Sequence, residues 1–200
     1  HFDVIRKKSV QALEAAMVEE QNVFLTAQLD PDVDNPEAKD LYTVGTVAKI
    51  KQLVKMPQDT VRVLVEGKFR GRMDDLIQSE PYLMADVSIF ETGGHLEEVQ
   101  GEAMLRYLKN QLEVYSSVNT QFGTELVHKL ENEENPVKLM DQMAINIPMD
   151  FRSRQKLLEA VDIQSRFETL VGLISREVDI IQINKEIQAK VKERVDKSQR

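Results

Sequence analysis

The apolar residues of this chain change their period once, at Thr92-Gly93-Gly94, and that change limits the fold more than any motif. Before it, apolar positions alternate or run in short blocks, as in strands, with one helical stretch; after it they recur every three or four residues. Strands gathered on one side of a break and helices on the other predict an α+β chain: a β-rich subdomain over 1–91 and an α-helical subdomain over 95–200.

In the first part, Phe2–Ile5 reads as the tail of a strand. Ser9 is a plausible N-cap for a helix from Val10 to Glu20, with Val10, Leu13 and Met17 on one face. Asn22–Gln28 reads as a buried strand, and Leu29–Asp40, with two prolines and many acids, as a loop. Thr43–Met56 and Thr60–Glu66 form a hairpin across Pro57-Gln58-Asp59. Gly67 and Gly71 punctuate Lys68–Ile77, and Tyr82–Phe90 supplies a last alternating run.

In the second part the spacing predicts helices over Leu96–Ser116, Gln121–Glu131, Pro136–Ile145 and Ser153–Ala160. Asn135 stands at an N-cap ahead of Pro136. The longest helix begins near Asp162. Ile163, Phe167, Leu170, Ile174, Val178, Ile181, Ile187, Val191 and Val195 mark its apolar face, with Gly172 inside and no proline. Continuous over about 162–200, it outreaches any bundle of this size and is expected to project from it. The start at His1-Phe2 and the uncapped end at Lys197-Ser198-Gln199-Arg200 read as cuts in a longer protein.

Formal net charge is −8 and both halves are acidic, which argues against a nucleic-acid surface. The basic stretch Lys185–Arg200 fits a solvated helix face. There is no cysteine, so disulfides and thiolate zinc sites are excluded, and the composition suits a reducing, cytoplasmic setting. No stretch is long and apolar enough to predict a membrane span.

Catalytic signatures are also missing. The one Gly-Lys pair, Gly67-Lys68, is followed by Phe69 rather than Ser or Thr, so no nucleotide loop is predicted. His1, His95 and His128 lack zinc-protease spacing. Asp30, Asp32 and Asp34 imitate a calcium loop, but Asn35 replaces the required glycine and Leu41 the bidentate glutamate. No catalytic, cofactor or metal residue is assigned.

Three segments together resemble the amino-terminal domain of bacterial-type Lon ATP-dependent serine proteases: Lys8–Met17, Asp40–Ile50 and Val61–Gly67. Asp150–Val161 and Lys190–Arg200 resemble that family's helical part. Against its pattern the chain lacks the first strand, carries Gln58-Asp59 where an acidic-glycine pair is usual, and has Asp150-Phe151 at a Leu-Lys-type position. The resemblance implies a PUA-like pseudo-barrel followed by a helical bundle. It also implies capture of unfolded or damaged proteins for degradation, and a share in assembling a homohexamer. ATP and magnesium are implied only for the parent enzyme, whose ATPase and Ser-Lys peptidase modules are absent here. The structural alternative is a spacer that links subunits without touching substrate.

A recogniser of unfolded chains needs exposed, adaptable apolar side chains. Val54, Met56 and Pro57 at the hairpin tip are the first candidates, the alternative being that Met56 folds back onto the sheet. Met140, Met143, Met149 and Phe151 form a second group, although the spacing of Met140 and Met143 also suits a core. Arg6, Lys7 and Lys8 precede a helix start, where positive charge opposes the dipole. They are expected either to contact substrate or a neighbouring subunit, or to be solvated.

Overall fold

A computed structural model describes residues 1–91 and 93–199. Thr92 of the predicted break and Arg200 of the predicted last helix lie outside the described residues. The chain divides into two compact units, His1–Thr92 and Gly93–Arg200.

The first unit contains β1 (Phe2–Val4), α1 (Lys7–Val18), β2 (Asn22–Leu25), a short 3-10 turn (Ala38–Asp40), β3 (Val44–Lys55), β4 (Val61–Gln78) and β5 (Met84–Phe90). All pairings are antiparallel in the order β1-β4-β3-β2, with β5 also on β4. Because β3 occupies one edge of β4 from Val61 to Arg72, β1 at Val61–Val63 and β5 at Arg70–Gln78 share the other edge in succession. Each of the β3–β4 and β4–β5 ladders slips register twice, and such bulges raise the local twist.

The two glycines expected to punctuate β4 do not end it. Gly45 faces Gly71 across the β3–β4 ladder. A Cβ on Gly45 would stand 2.2 Å from the Leu25 carbonyl oxygen and 2.8 Å from Cζ of Phe24; one on Gly71 would stand 2.6 Å from Cγ1 of Val87. The glycines are there for close approach, and the strand runs on through them.

Helix α1 begins three residues earlier than expected. Arg6, not Ser9, is its N-cap residue, extended at φ −66° and ψ 131° with no side-chain cap. Tertiary bonds fix this start: the Arg6 guanidinium donates to Oε1 of Gln28 and, at 3.2 Å, to the carbonyl of Pro31. The helix ends at Val18, where Gln21 turns left-handed (φ 63°) and donates its N–H to Ala16 at 2.9 Å. Leu13 is buried with Ile50, Val61 and Val63, and Val10 and Met17 pack beside them.

The second unit is helical: α2 (Glu98–Val118), α3 (Thr124–Glu131), α4 (Pro136–Asn146), α5 (Phe151–Glu159) and α6 (Ile163–Ser198). The cap expected at Asn135 is present. Oδ1 of Asn135 accepts N–H bonds from Val137 and Lys138 at 3.0 and 3.1 Å, with Pro136 at the first helical position. Oδ1 of Asp162 accepts from Ser165 at 2.8 Å. The core gathers Leu108, Leu112, Leu130, Leu139, Leu170 and Ile174 around Tyr115, whose ring meets Phe122 edge-on at 5.1 Å. Met140 and Met143 are fully buried there, so they are packing residues and not a contact surface.

α6 has two halves. Through Val178 it sends Leu170, Ile174 and Val178 into the core; every described residue after Ile181 is exposed. Its 36 residues span about 54 Å. Gly172 sits in the packed half with nothing within 4 Å of where a Cβ would be.

These two glycine environments predict opposite responses to alanine. Gly172→Ala should stabilise the chain by about 0.5–1 kcal/mol, the helix-propensity difference. Gly45→Ala should destabilise it by about 1–3 kcal/mol, since the Leu25 backbone cannot move aside without breaking the β2–β3 ladder. Urea denaturation of both variants checks the pair of signs.

Candidate apolar contact face

The hairpin tip carries less of the expected apolar surface than the sequence led us to expect. Val54 is exposed at 40% beside Arg62, whose guanidinium takes both carboxylate oxygens of Asp3 at 2.8 and 3.0 Å. Pro57 is exposed, but Met56 is half-buried and its N–H closes the turn on the Thr60 carbonyl at 2.8 Å. The turn itself differs from an acidic-glycine one, because both Gln58 and Asp59 are non-glycine residues in the left-handed region.

The other candidates scatter. In the turn before α5, Met149 packs against the helical core, while Phe151 is 40% exposed beneath the Arg152 guanidinium at 5.6 Å. At the start of α1, Arg6 is engaged as described, and Nζ of Lys8 donates to the Ser79 carbonyl at 3.0 Å and pairs with Glu80. Lys7 is exposed. Arg6 and Lys8 therefore act first as ties within their own unit, which offsets the misplaced charge at the helix start.

A different surface is assembled by strand register. Residues directly opposite each other in a ladder share a face. Phe24, Val47 and Phe69 form one such row across β2, β3 and β4; Gly45, Gly71 and Ile89 form the next across β3, β4 and β5. The glycine pair makes a floor, and Phe24 and Val87 lean over it as the short distances to the absent Cβ atoms show. Phe69 and Ile89 stand diagonally across the β4–β5 pair and are exposed at 49% and 53%. Diagonal neighbours lie within reach of an aromatic side chain, so the two extend one apolar surface.

On the same face, two residues along, lies a charged row: Asn22, Lys49 and Glu66. Lys51 and Lys68 both pair with Glu66 at 2.9 Å. Hydrogen bonds from Lys68 and then Lys51, reinforced by their charges, lower the Glu66 pKa to about 2. A depressed carboxyl pKa contributes stability above its unfolded value that is lost as pH falls through the lowered one, so Glu66 stays mostly ionised until pH approaches about 2. Removing both partners as Lys51→Met and Lys68→Met should return the Glu66 titration to near the ordinary glutamate value. Carboxyl-carbon NMR titration reads that midpoint directly.

Neither Phe69 nor Ile89 stands out in the sequence. The informative signal was the spacing Gly45-x-Val47 and Phe69-x-Gly71, which gains meaning only once the register is known.

Side-chain chemistry elsewhere points to structure. Ser153 and Lys156 have a Ser-x-x-Lys spacing on α5, but the Ser153 hydroxyl and N–H both bond to Asp150, holding that carboxyl below its ordinary pKa as a helix cap. Among the described residues there is no cluster of three or more His, Cys, Asp or Glu able to hold a metal ion. No helix among them is long and apolar enough to cross a membrane.

Residues 1–176 match the family described as the ATP-dependent protease La (LON) substrate-binding domain. The chain belongs to that family. It is 40% identical over 201 residues to the Lon protease of Lachnoclostridium phytofermentans, covering 100% of this chain and 25% of that protein. To the Lon protease of Haemophilus influenzae it is 36% identical over 197 residues, with 98% of this chain and 24% of that protein covered. The chain thus spans about a quarter of the Lon proteases it matches. Among solved structures, the N-terminal domain of the Mycobacterium avium complex Lon protease superposes with a TM-score of 0.66 at 18% identity, covering 87% of this chain and 89% of that one. A Lon N-terminal domain protein from Xanthomonas campestris gives 0.55 at 15%, with 86% of each chain covered. Both share the Lon-type succession of an antiparallel sheet and then helices seen here. The family match ends inside α6, whereas the Lachnoclostridium alignment spans the whole chain.

Proposed function

We propose that this chain is the substrate-recognition module of a bacterial, cytoplasmic Lon-type ATP-dependent protease, and that it holds unfolded or damaged polypeptide by apolar contact on the Phe69–Ile89 face. Membership of the substrate-binding family supplies the role. The observation that carries the site is the exposure of Phe69 and Ile89 beside a glycine-floored surface, where apolar area meets water. Unfolded segments differ in sequence, and a non-directional apolar contact accepts many of them. On this reading the chain contributes contact and no hydrolysis, while ATP, magnesium and the peptidase groups act in other parts of the parent enzyme. Val54, Met56 and Pro57, with Met149 and Phe151, are secondary contacts. Lys7 is the member of the basic trio best placed to meet a partner, since Arg6 and Lys8 serve internal bonds.

A second role, in assembly of a homohexamer, draws on α6. Ile180, Ile183, Ile187, Val191 and Val195 are exposed at spacings of three and four residues, an apolar stripe of the kind that helices bury against one another.

The two roles separate by mutation. Phe69→Asp should weaken binding of a chemically denatured, fluorescently labelled protein at least ~10-fold, the loss for about 1.4 kcal/mol of contact, while leaving circular dichroism unchanged. Ile187→Asp with Val191→Asp should leave that binding intact and reduce self-association in sedimentation. Denatured protein bound equally by the parent chain and Phe69→Asp would move the contact off this face.

A further inference from the structure

Along β2, β3 and β4 the apolar face has a lysine-rich border, and its sign opposes that of the chain. Lys49, Lys51 and Lys68 stand around Glu66, and at the β2 end of the row Asn22 donates to Glu20 at 3.5 Å, so three positive charges meet two carboxylates in a protein of net charge −8. Lys49 follows Val47 by two residues on the same face, a rise of about 7 Å. The border is therefore one strand step from the row of Phe24, Val47 and Phe69. Toward β5 the same face continues as Ile89, Val87 and Ala85, which carry no charge, and exposed Glu91 follows just past the end of that strand. Asp86, paired with Asp75, alternates to the opposite face of β5.

We propose that this border makes the face selective, so that it takes unfolded segments whose aromatic or aliphatic cluster is flanked by aspartate or glutamate and disfavours those flanked by lysine or arginine. The inference rests on the apolar reading given above and adds a substrate class to it. The physical basis is charge complementarity at short range. A carboxylate next to a side chain seated on Phe69 lies within about one Debye length, ~8 Å at physiological salt, of the lysine border. Exposed ion pairs contribute little individually, so the selectivity is graded rather than absolute.

The test is fluorescence anisotropy on the full chain, using three labelled peptides that share one aromatic-aliphatic core flanked by glutamates, by serines or by lysines. At low salt the glutamate-flanked peptide should bind about five-fold more tightly than the serine-flanked one and the lysine-flanked peptide about five-fold more weakly. Raising salt to about 0.5 M should compress that ladder. Combining Lys49→Gln, Lys51→Gln and Lys68→Gln should abolish the preference with the serine-flanked affinity retained; Glu66→Gln should steepen it. Equal binding of all three peptides that is lost in Phe69→Asp overturns the charge selection and leaves the apolar reading standing. Peptides that bind Phe69→Asp as well as the parent chain overturn both.

Discussion

The sheet of the first unit depends on one close approach, Gly45 against Gly71 near the open end of the β3–β4 ladder. At this point β2 and β5 flank the central hairpin from its two sides, and side chains from both cross toward the same spot. A side chain at Gly45 would collide with the β2 backbone and with the Phe24 ring; one at Gly71 would meet Val87. Removing both Cβ atoms lets an aromatic ring and a branched aliphatic side chain fill the space instead, so the sheet gains packing where the backbone lost it. The consequence for function follows from geometry. Phe69 and Ile89, on the same face, stand beside the filled depression and are each about half exposed.

The helical unit obeys a different rule, because its packing is read from spacing along one helix. The apolar residues of α6 look like a single run from Ile163 to Val195, yet they divide into two stripes. Leu170, Ile174, Val178 and Ile181 face the bundle, whereas Ile180, Ile183, Ile187, Val191 and Val195 face water. At about 100° per residue the second set lies roughly a third of a turn around the helix from the first. The step of six residues from Ile181 to Ile187 is where a single run loses phase. The distal stripe cannot be an extension of the core, and its exposure is a property of its own face.

What the sequence alone makes legible follows the range of the interactions concerned. Caps such as Asn135 and Asp162 bond to N–H groups two or three residues ahead, so their function is visible locally. The five helices of the second unit were accordingly placed to within a few residues. At α1 the local signal misled, since Ser9 has good capping chemistry but Arg6 is anchored by Gln28 and Pro31, more than twenty residues away. The site suffered most from this limit. Met56 is conspicuous in the sequence as a methionine at a hairpin tip, while the exposed face depends on pairings between β2, β3, β4 and β5 that no local pattern encodes.

The same register argument explains why an apolar face this exposed is compatible with a stable fold. Burial of Leu13, Ile50, Val61 and Val63 on the α1 side supplies a core that does not require Phe69 or Ile89. The chain can therefore leave these two side chains in water without giving up the contacts that hold its strands. The lysine and glutamate row then limits the apolar area on one side, placing hydrated charges where a longer exposed surface would invite edge-to-edge or face-to-face aggregation. A face built this way keeps apolar side chains in contact with water while a charged row bounds it.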